Sequence, residues 1–217
     1  MSVTQNPLIG RARQKLGGTV FTTWKGINVI KGKPLSVANP KTDLQLMRRS
    51  AMRQIVAIAR TISAAMNFGF KEQAVRKSAF NAFISFNLKN AFDYSSPPDA
   101  TLILNNFLVS QGTISKTDIL TQVASAGAKT IVTTFSALAS LPGQSAADKI
   151  YGAVYNDMSD EWISLSSSAV RSDGTATFNT PTGYMSIGND VIGYFFFYNS
   201  STRKSSDSYK INSTVGA

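Results

Sequence analysis

The chain of 217 residues contains no cysteine and no histidine. Without cysteine there is no disulfide framework, no thiol nucleophile and no thiolate-bound metal. Without histidine there is no imidazole base and no Ser-His-acid triad, and the commonest zinc ligand is missing. Acid is scarce as well: 12 Asp and Glu stand against 22 Lys and Arg, a net charge of +10. Charged residues make up only 16% of the chain and hydrophobic residues 43%, a balance that suits a β-rich scaffold or assembly protein better than a soluble metabolic enzyme. Long apolar runs are lacking too. The longest, Val191 to Tyr198, falls far short of the ~20 residues that a membrane-spanning helix needs. Met1 to Gly10 lacks the basic segment followed by an apolar stretch that marks a secretory signal. These absences lead us to expect a protein kept in the cytoplasm or placed in a particle, with no membrane span, no cofactor and no enzymatic activity.

What is present is charge gathered at one end. Residues 1–60 hold Arg11, Arg13, Lys15, Lys25, Lys31, Lys33, Lys41, Arg48, Arg49, Arg53 and Arg60 against the single acid Asp43, while the other 157 residues are neutral. A segregated basic segment is the electrostatic footprint of an element that meets a polyanion. Nucleic acid, an anionic membrane and an acidic partner all satisfy it, and so does a basic surface that only maintains solubility. Phe21 and Trp24 lie among these cations. An aromatic ring stacked on a nucleobase contributes ~1–3 kcal/mol per base, although Trp24 can equally cover a small core of its own hairpin. No RNP-type or helix-turn-helix signature accompanies the charge, so nucleic-acid binding would be sequence-independent and made through phosphates. The candidate binding residues are Arg11, Arg13, Lys15, Trp24, Lys25, Lys31, Lys33, Arg48, Arg49, Arg53 and Arg60.

Periodicity divides the chain. Thr19 to Trp24 is β-branched and aromatic, Lys25-Gly26 reads as a turn and Ile27 to Ile30 as the returning strand, which makes a short hairpin. Pro34 and Asn39-Pro40 end it. Thr42 and Gln45 are spaced as a capping box. Behind them Leu44, Met47, Ala51, Ile55, Ile58, Ile62 and Met66 form one helical stripe. Arg49, Arg53 and Arg60 fall opposite it, within about 40° of one another. A second helix is expected from about Lys71 to Phe92, with Val75, Ala79, Phe83 and Phe86 on its packed face and Phe80 and Leu88 beside it. Ser95-Ser96-Pro97-Pro98 is the strongest boundary signal and separates an expected region 1–95 from a β domain 99–217.

Beyond it the pattern turns to short runs of period two. Strands are expected near Leu102 to Ser110, Ile119 to Ala124, Lys129 to Ser136, Lys149 to Tyr155, Trp162 to Ser166, Thr175 to Asn179, Val191 to Tyr198 and Ser206 to Ile211, with a hairpin turn at Asp173-Gly174. The fold class expected is α+β: a basic hairpin and a helical hairpin, then an immunoglobulin-like antiparallel β-sandwich. In the strand Val191–Tyr198, Tyr194, Phe196 and Tyr198 alternate with Phe195 and Phe197. One set must face away from the sheet's own core, toward another layer or subunit or toward a ligand.

Sites for chemistry are few. No Gly-x4-Gly-Lys-Ser/Thr run exists, and Gly17-Gly18-Thr19 does not follow a strand, so a phosphate loop is not expected. Asp157, Asp160 and Glu161 are a close acid cluster that could offer oxygens to Ca²⁺, but their spacing matches a solvated turn better than a calcium loop.

The ends of the chain carry a resemblance. Asn6-Pro7-Leu8, Gly17-Gly18-Thr19-Val20-Phe21, Trp24-Lys25-Gly26, Lys31, Lys33-Pro34, Asn39-Pro40, Thr42, Gln45 and Arg49 resemble the N-terminal signature of an uncharacterised domain family of environmental and gut bacteria and their phages. Arg171-Ser172-Asp173-Gly174-Thr175 and Ser206-Asp207-Ser208-Tyr209 resemble its C-terminal β part. The resemblance implies an architecture and a phage-linked setting, and no catalytic residues. By analogy with virion proteins, a basic segment ahead of a neutral β body implies a capsid or capsid-associated subunit that self-associates and contacts genome or an acidic partner surface. An attachment or tail-type adhesion module and a cellular nucleic-acid-binding protein are the alternatives.

Overall fold

The structure, a computed structural model, describes residues 2–3, 14–24, 27–34, 36, 39, 41–116 and 119–217, of which 2–3, 14–16 and 23–24 are described by their backbone alone. The chain divides into two compact units, Met1–Lys41 and Thr42–Ala217. The first is a four-stranded antiparallel sheet of β1 (Ser2–Val3), β2 (Gln14–Leu16), β3 (Thr19–Trp24) and β4 (Ile27–Gly32), in the order β1-β4-β3-β2. The expected hairpin is present as β3 and β4, paired from Thr19↔Gly32 to Trp24↔Ile27. Its two-residue connection, Lys25-Gly26, lies outside the described residues. Gly17-Gly18 is the turn between β2 and β3. Gly17 sits at φ +56°, a left-handed conformation that side chains disfavour, so this glycine pair serves a turn.

The second unit begins with three helices: α1 (Asp43–Thr61), α2 (Ser63–Gly69) and α3 (Ala79–Asn90). The stripe behind Thr42 is buried as its period requires: Met47, Ala51, Ile55, Ile58, Ile62 and Met66 are all in the core. Leu44, one turn too early, is 61% exposed. The expected single helix breaks at Ile62, whose φ and ψ of −94° and 20° leave the helical region. The capping box does not form, because Thr42 makes no side-chain cap bond and the Gln45 side-chain oxygen has no partner. The second predicted helix starts eight residues late. Its N-cap is Ser78, which accepts from the Asn81 amide. Lys71 to Ser78 forms turns instead, and Val75 is 72% exposed.

Two short strands, β5 (Phe92–Asp93) and β6 (Thr101–Leu102), pair antiparallel. The Ser-Pro-rich stretch 95–99 is therefore the tip of a small hairpin, and the observed unit boundary falls at Lys41–Thr42. The predicted strand Leu102–Ser110 survives only in its first residue. Asn105 and Asn106 lie in a turn, and the Asn87 carboxamide takes both backbone bonds of Leu108, at 3.0 Å each.

The remaining strands are β7 (Ile119–Ser125), β8 (Thr130–Phe135), β9 (Lys149–Asn156), β10 (Glu161–Val170), β11 (Thr175–Asn179), β12 (Asp190–Asn199), β13 (Lys204–Ser205) and β14 (Tyr209–Gly216). They are hydrogen-bonded as one path, β10-β9-β12-β14-β7-β8-β11, with β13 attached to β12. All pairings are antiparallel except β14 with β7. The end strands β10 and β11 lie side by side, so the sheet curls into a nearly closed barrel. It is one sheet, where the sequence suggested the two facing sheets of an immunoglobulin-like sandwich. The Asp173-Gly174 turn is present, with Gly174 at φ +68°. It joins β10 to β11, and β11 pairs with β8, so the turn closes no hairpin ladder.

Two cores result. Inside the curl lie Ile131, Ile150, Val154, Leu165, Phe178, Phe195 and Phe197. Outside it the helices cover β9, β10 and β12, through Phe83, Phe107, Trp162, Tyr194, Phe196 and Tyr198. This explains the double-sided aromatic run of β12: the odd set fills the barrel and the even set packs under the helices. Both faces are buried, as a continuous apolar strand requires.

Candidate functional site

The sequence-predicted basic residues fall into separate groups. Arg11, Arg13 and Lys25 lie outside the described residues, and Lys15 and Trp24 are placed by backbone only. In the first unit, Lys15 and Lys31 share one cross-strand row with Val20 between them. Adjacent strands are about 4.8 Å apart, so the two backbones are about 10 Å from each other. Lys31 and Lys33 are exposed, and the Lys33 amide donates to Gly18 O at 2.7 Å. This unit has seven basic residues (Arg11, Arg13, Lys15, Lys25, Lys31, Lys33, Lys41) and no acidic one. Nothing of opposite sign within it can offset its own charge.

In the second unit, Arg49, Arg53 and Arg60 are exposed on α1, on the side opposite the buried stripe as their spacing demands. Among the described residues Arg53 and Arg60 make no ion pair. Arg48 departs from this group. Its guanidinium stands 5.8 Å from the centre of the Tyr94 ring, a cation–π contact. Burial raises the Tyr94 phenol's pKa and the Arg48 cation lowers it, burial being the larger effect. Arg48 is thus engaged with its own fold, beside Leu88 and Lys89.

A cleft of about 640 Å³ borders the arginine face. Gln54, Ala57, Ile58 and Thr61 of α1 form one wall; Leu102, Leu104, Tyr155, Asp160, Glu161 and Trp162 form the rest. At about 100° per residue, Ala57 and Thr61 sit next to Arg53 and Arg60 on the helix surface. Tyr155 donates to Asp160 Oδ1 at 3.0 Å, and its ring lies 5.0 Å from that of Trp162. Burial, then the bond to Asp160, pushes the Tyr155 phenol up to about 12. The acid cluster Asp157, Asp160 and Glu161 is exposed at this β9–β10 turn, and Asp160 holds a left-handed φ of +52°. No group of three or more His, Cys, Asp or Glu able to hold a metal ion occurs among the described residues. The cleft was missed at the sequence level because its walls come from three distant segments. The signal that could have found it is the placement of Tyr155 and Trp162 on either side of the acid-bearing turn, where they pair across β9 and β10.

A buried ion pair was also missed. Arg171 and Asp148 are both fully buried, 3.4 Å apart. Asp148 further accepts from Asn199 Nδ2 at 2.7 Å and from the Ser145 amide at 2.8 Å. The Arg171 guanidinium lies 3.9 Å from the Phe197 ring centre. Burial lowers the Arg171 pKa and the Asp148 carboxylate raises it, burial again being the larger effect. Arg171 carries charge into the barrel core and is no part of a binding surface.

No helix among the described residues is long and apolar enough to cross a membrane. No curated protein and no solved structure matches this chain. A protein-family match extends over residues 10–212, and the uncharacterised-family resemblance at the chain ends agrees with it. With a match of that extent, the chain belongs to DUF6266, a family of unknown function.

Proposed function

We propose that this chain is a non-enzymatic structural protein of a phage particle, capsid or capsid-associated, that contacts nucleic acid through its N-terminal unit and the arginine face of α1. The observation that carries this reading is the seven-to-none ratio of basic to acidic residues in the unit Met1–Lys41. A small sheet so charged gains most from a partner that carries regularly spaced anions, and a nucleic-acid backbone is such a partner. Arg53 and Arg60 add guanidinium groups, whose planar donors suit phosphate. The barrel supplies a rigid body. The phage setting rests on the layout of a basic segment ahead of a β body, which is analogy. Light scattering on a sizing column, with absorbance at two wavelengths to detect nucleic acid, tests this reading. The expected outcome is a large, nucleic-acid-containing species that loses its nucleic acid at high salt. A small, nucleic-acid-free species at low salt contradicts it.

One observation favours a second reading, the adhesion module. The cleft joins an aromatic wall, Tyr155 and Trp162, to the carboxylates of Asp160 and Glu161 and the Gln54 amide, a lining that can take a polyhydroxylated ligand. The even-numbered aromatics of β12 play no part in it, because they lie under the helices. Soluble sugar that protects Tyr155 and Trp162 from fluorescence quenching would favour this reading over the first.

A further inference from the structure

Within the second unit the helices cover β9, β10 and β12 and do not cover the outward face of β7, β8 and β11. Its register is regular. Val123, Val132 and Thr177 form one cross-strand row, and Thr121, Thr134 and Thr175 form the next. Val123 is 60% exposed, and Leu120, at the register shift in β7, is 65% exposed. Thr121 and Thr134 are joined through their hydroxyls at 2.6 Å. With Asn179 at its end, the face offers methyl, hydroxyl and carboxamide groups.

The two rows also carry no charged side chain, in a protein of net charge +10. From Ile119 to Ala147 the one charged residue is Lys129, and from Gly174 to Asn189 there is none. Lys129 sits in the β7–β8 turn, off both rows. Such a surface has nothing to offer a nucleic acid or an acidic protein. A copy of the same face is complementary to it, because neither side has an ion to strip of water. Two-fold pairing sets the neutral faces together. Sheets packed in this way stand about 10 Å apart with their side chains interleaved.

We propose that the outward face of β7, β8 and β11 is a self-association surface that pairs two copies of this chain face to face. The proposal does not depend on nucleic-acid binding, and salt separates the two. Salt weakens a phosphate contact, whereas it leaves apolar burial unweakened or strengthened. The test is sedimentation of the nuclease-treated full chain in about 0.5 M salt, where surface charge is screened within a few ångströms. The expected species has at least twice the 23.3 kDa chain mass. Val123→Lys places two ammonium groups in the dry contact and is expected to weaken association at least about a hundredfold. Thr177→Arg, in the same row on β11, is expected to do likewise. Met158→Lys, a control at an 81% exposed position on the β9–β10 turn, leaves the mass unchanged. Circular dichroism melts of all three should match the parent, since each side chain points outward. A chain that stays monomeric at high micromolar concentration overturns the proposal, as does an oligomer that survives both row substitutions.

Discussion

The Asn87 carboxamide stands in for a neighbouring strand. It accepts from the Leu108 amide, donates to the Leu108 carbonyl and to Phe83 O, and is fully buried. Removing it strands two backbone groups, each costing about 1–3 kcal/mol when left unpaired. Asn87→Ala is therefore expected to cost about 2–4 kcal/mol in urea unfolding, with an unchanged m-value. The Arg171–Asp148 pair is expected to be more sensitive. Asp148→Asn leaves a guanidinium uncompensated beside Phe197, at a cost of about 3–5 kcal/mol. Arg171→Leu in that background should recover part of the loss, which a thermal melt of the double variant reads directly. Tyr155 gives a pH signature. Its phenol is raised from 10 to about 12, so its contribution to stability is complete below pH 10 and is lost as pH rises toward 12. Burial also raises Tyr184 and Tyr194, so the ultraviolet titration of tyrosinate is read as a difference: relative to the parent, one late-ionising group should move to lower pH in Asp160→Asn. A titration unchanged by that substitution would remove the hydrogen bond from the account.

At the scale of elements, the aromatic residue Phe107 fastens three pieces together. Its ring lies 5.7 Å from Phe83 of α3, 4.9 Å from Trp162 of β10 and 5.4 Å from Tyr194 of β12. Phe107→Ala should cost about 3–5 kcal/mol and loosen the helices from the sheet, which hydrogen exchange in α3 would report. This packing was partly legible in the sequence. The stripe from Met47 to Met66, which runs through α1 into α2, and the strand Thr175–Asn179 were readable because their burial follows a single period, and Val191–Tyr198 because it is a continuous apolar run buried on both faces. The segment 102–110 was not, because its apolar residues plug a gap between layers and its partner is a side chain on a helix 21 residues away. The break at Ile62 was hidden for a similar reason. The stripe continues unbroken through it, and the interruption goes with a tertiary bond from the Ala65 amide to Ser164 Oγ at 3.0 Å. The seating of Phe195 inside the barrel also has a local cause that sequence could not reveal. Gly152 and Gly193 leave room for the Phe195 ring, which lies 2.5 Å and 2.4 Å from where their Cβ atoms would be. The positions of Arg49, Arg53 and Arg60 followed from the helical period alone; the cleft beside them did not.

At the scale of the whole molecule, the division of the chain sets an acid-free unit apart from one that holds every acid. The observed division at Lys41–Thr42 leaves the first unit at +7 and the second at +3. No local pattern marks that division, since Pro34 and Asn39-Pro40 read as an ordinary loop and the Ser-Pro stretch is the louder signal. The consequence is an electrostatic one. Each phosphate neutralised releases condensed counterions, so affinity for a duplex falls with salt with a slope near −0.9 per contact. The measurement that tests the central claim most directly is fluorescence anisotropy of labelled random-sequence DNA and RNA against the full chain, across a salt series. The account predicts binding without sequence preference, a steep log–log slope corresponding to about four or more phosphate contacts, and a slope shallower by about two when Arg53 and Arg60 are both changed to Ala. A flat salt dependence, or no binding near 0.05 M salt where the Debye length exceeds about 10 Å, would contradict it.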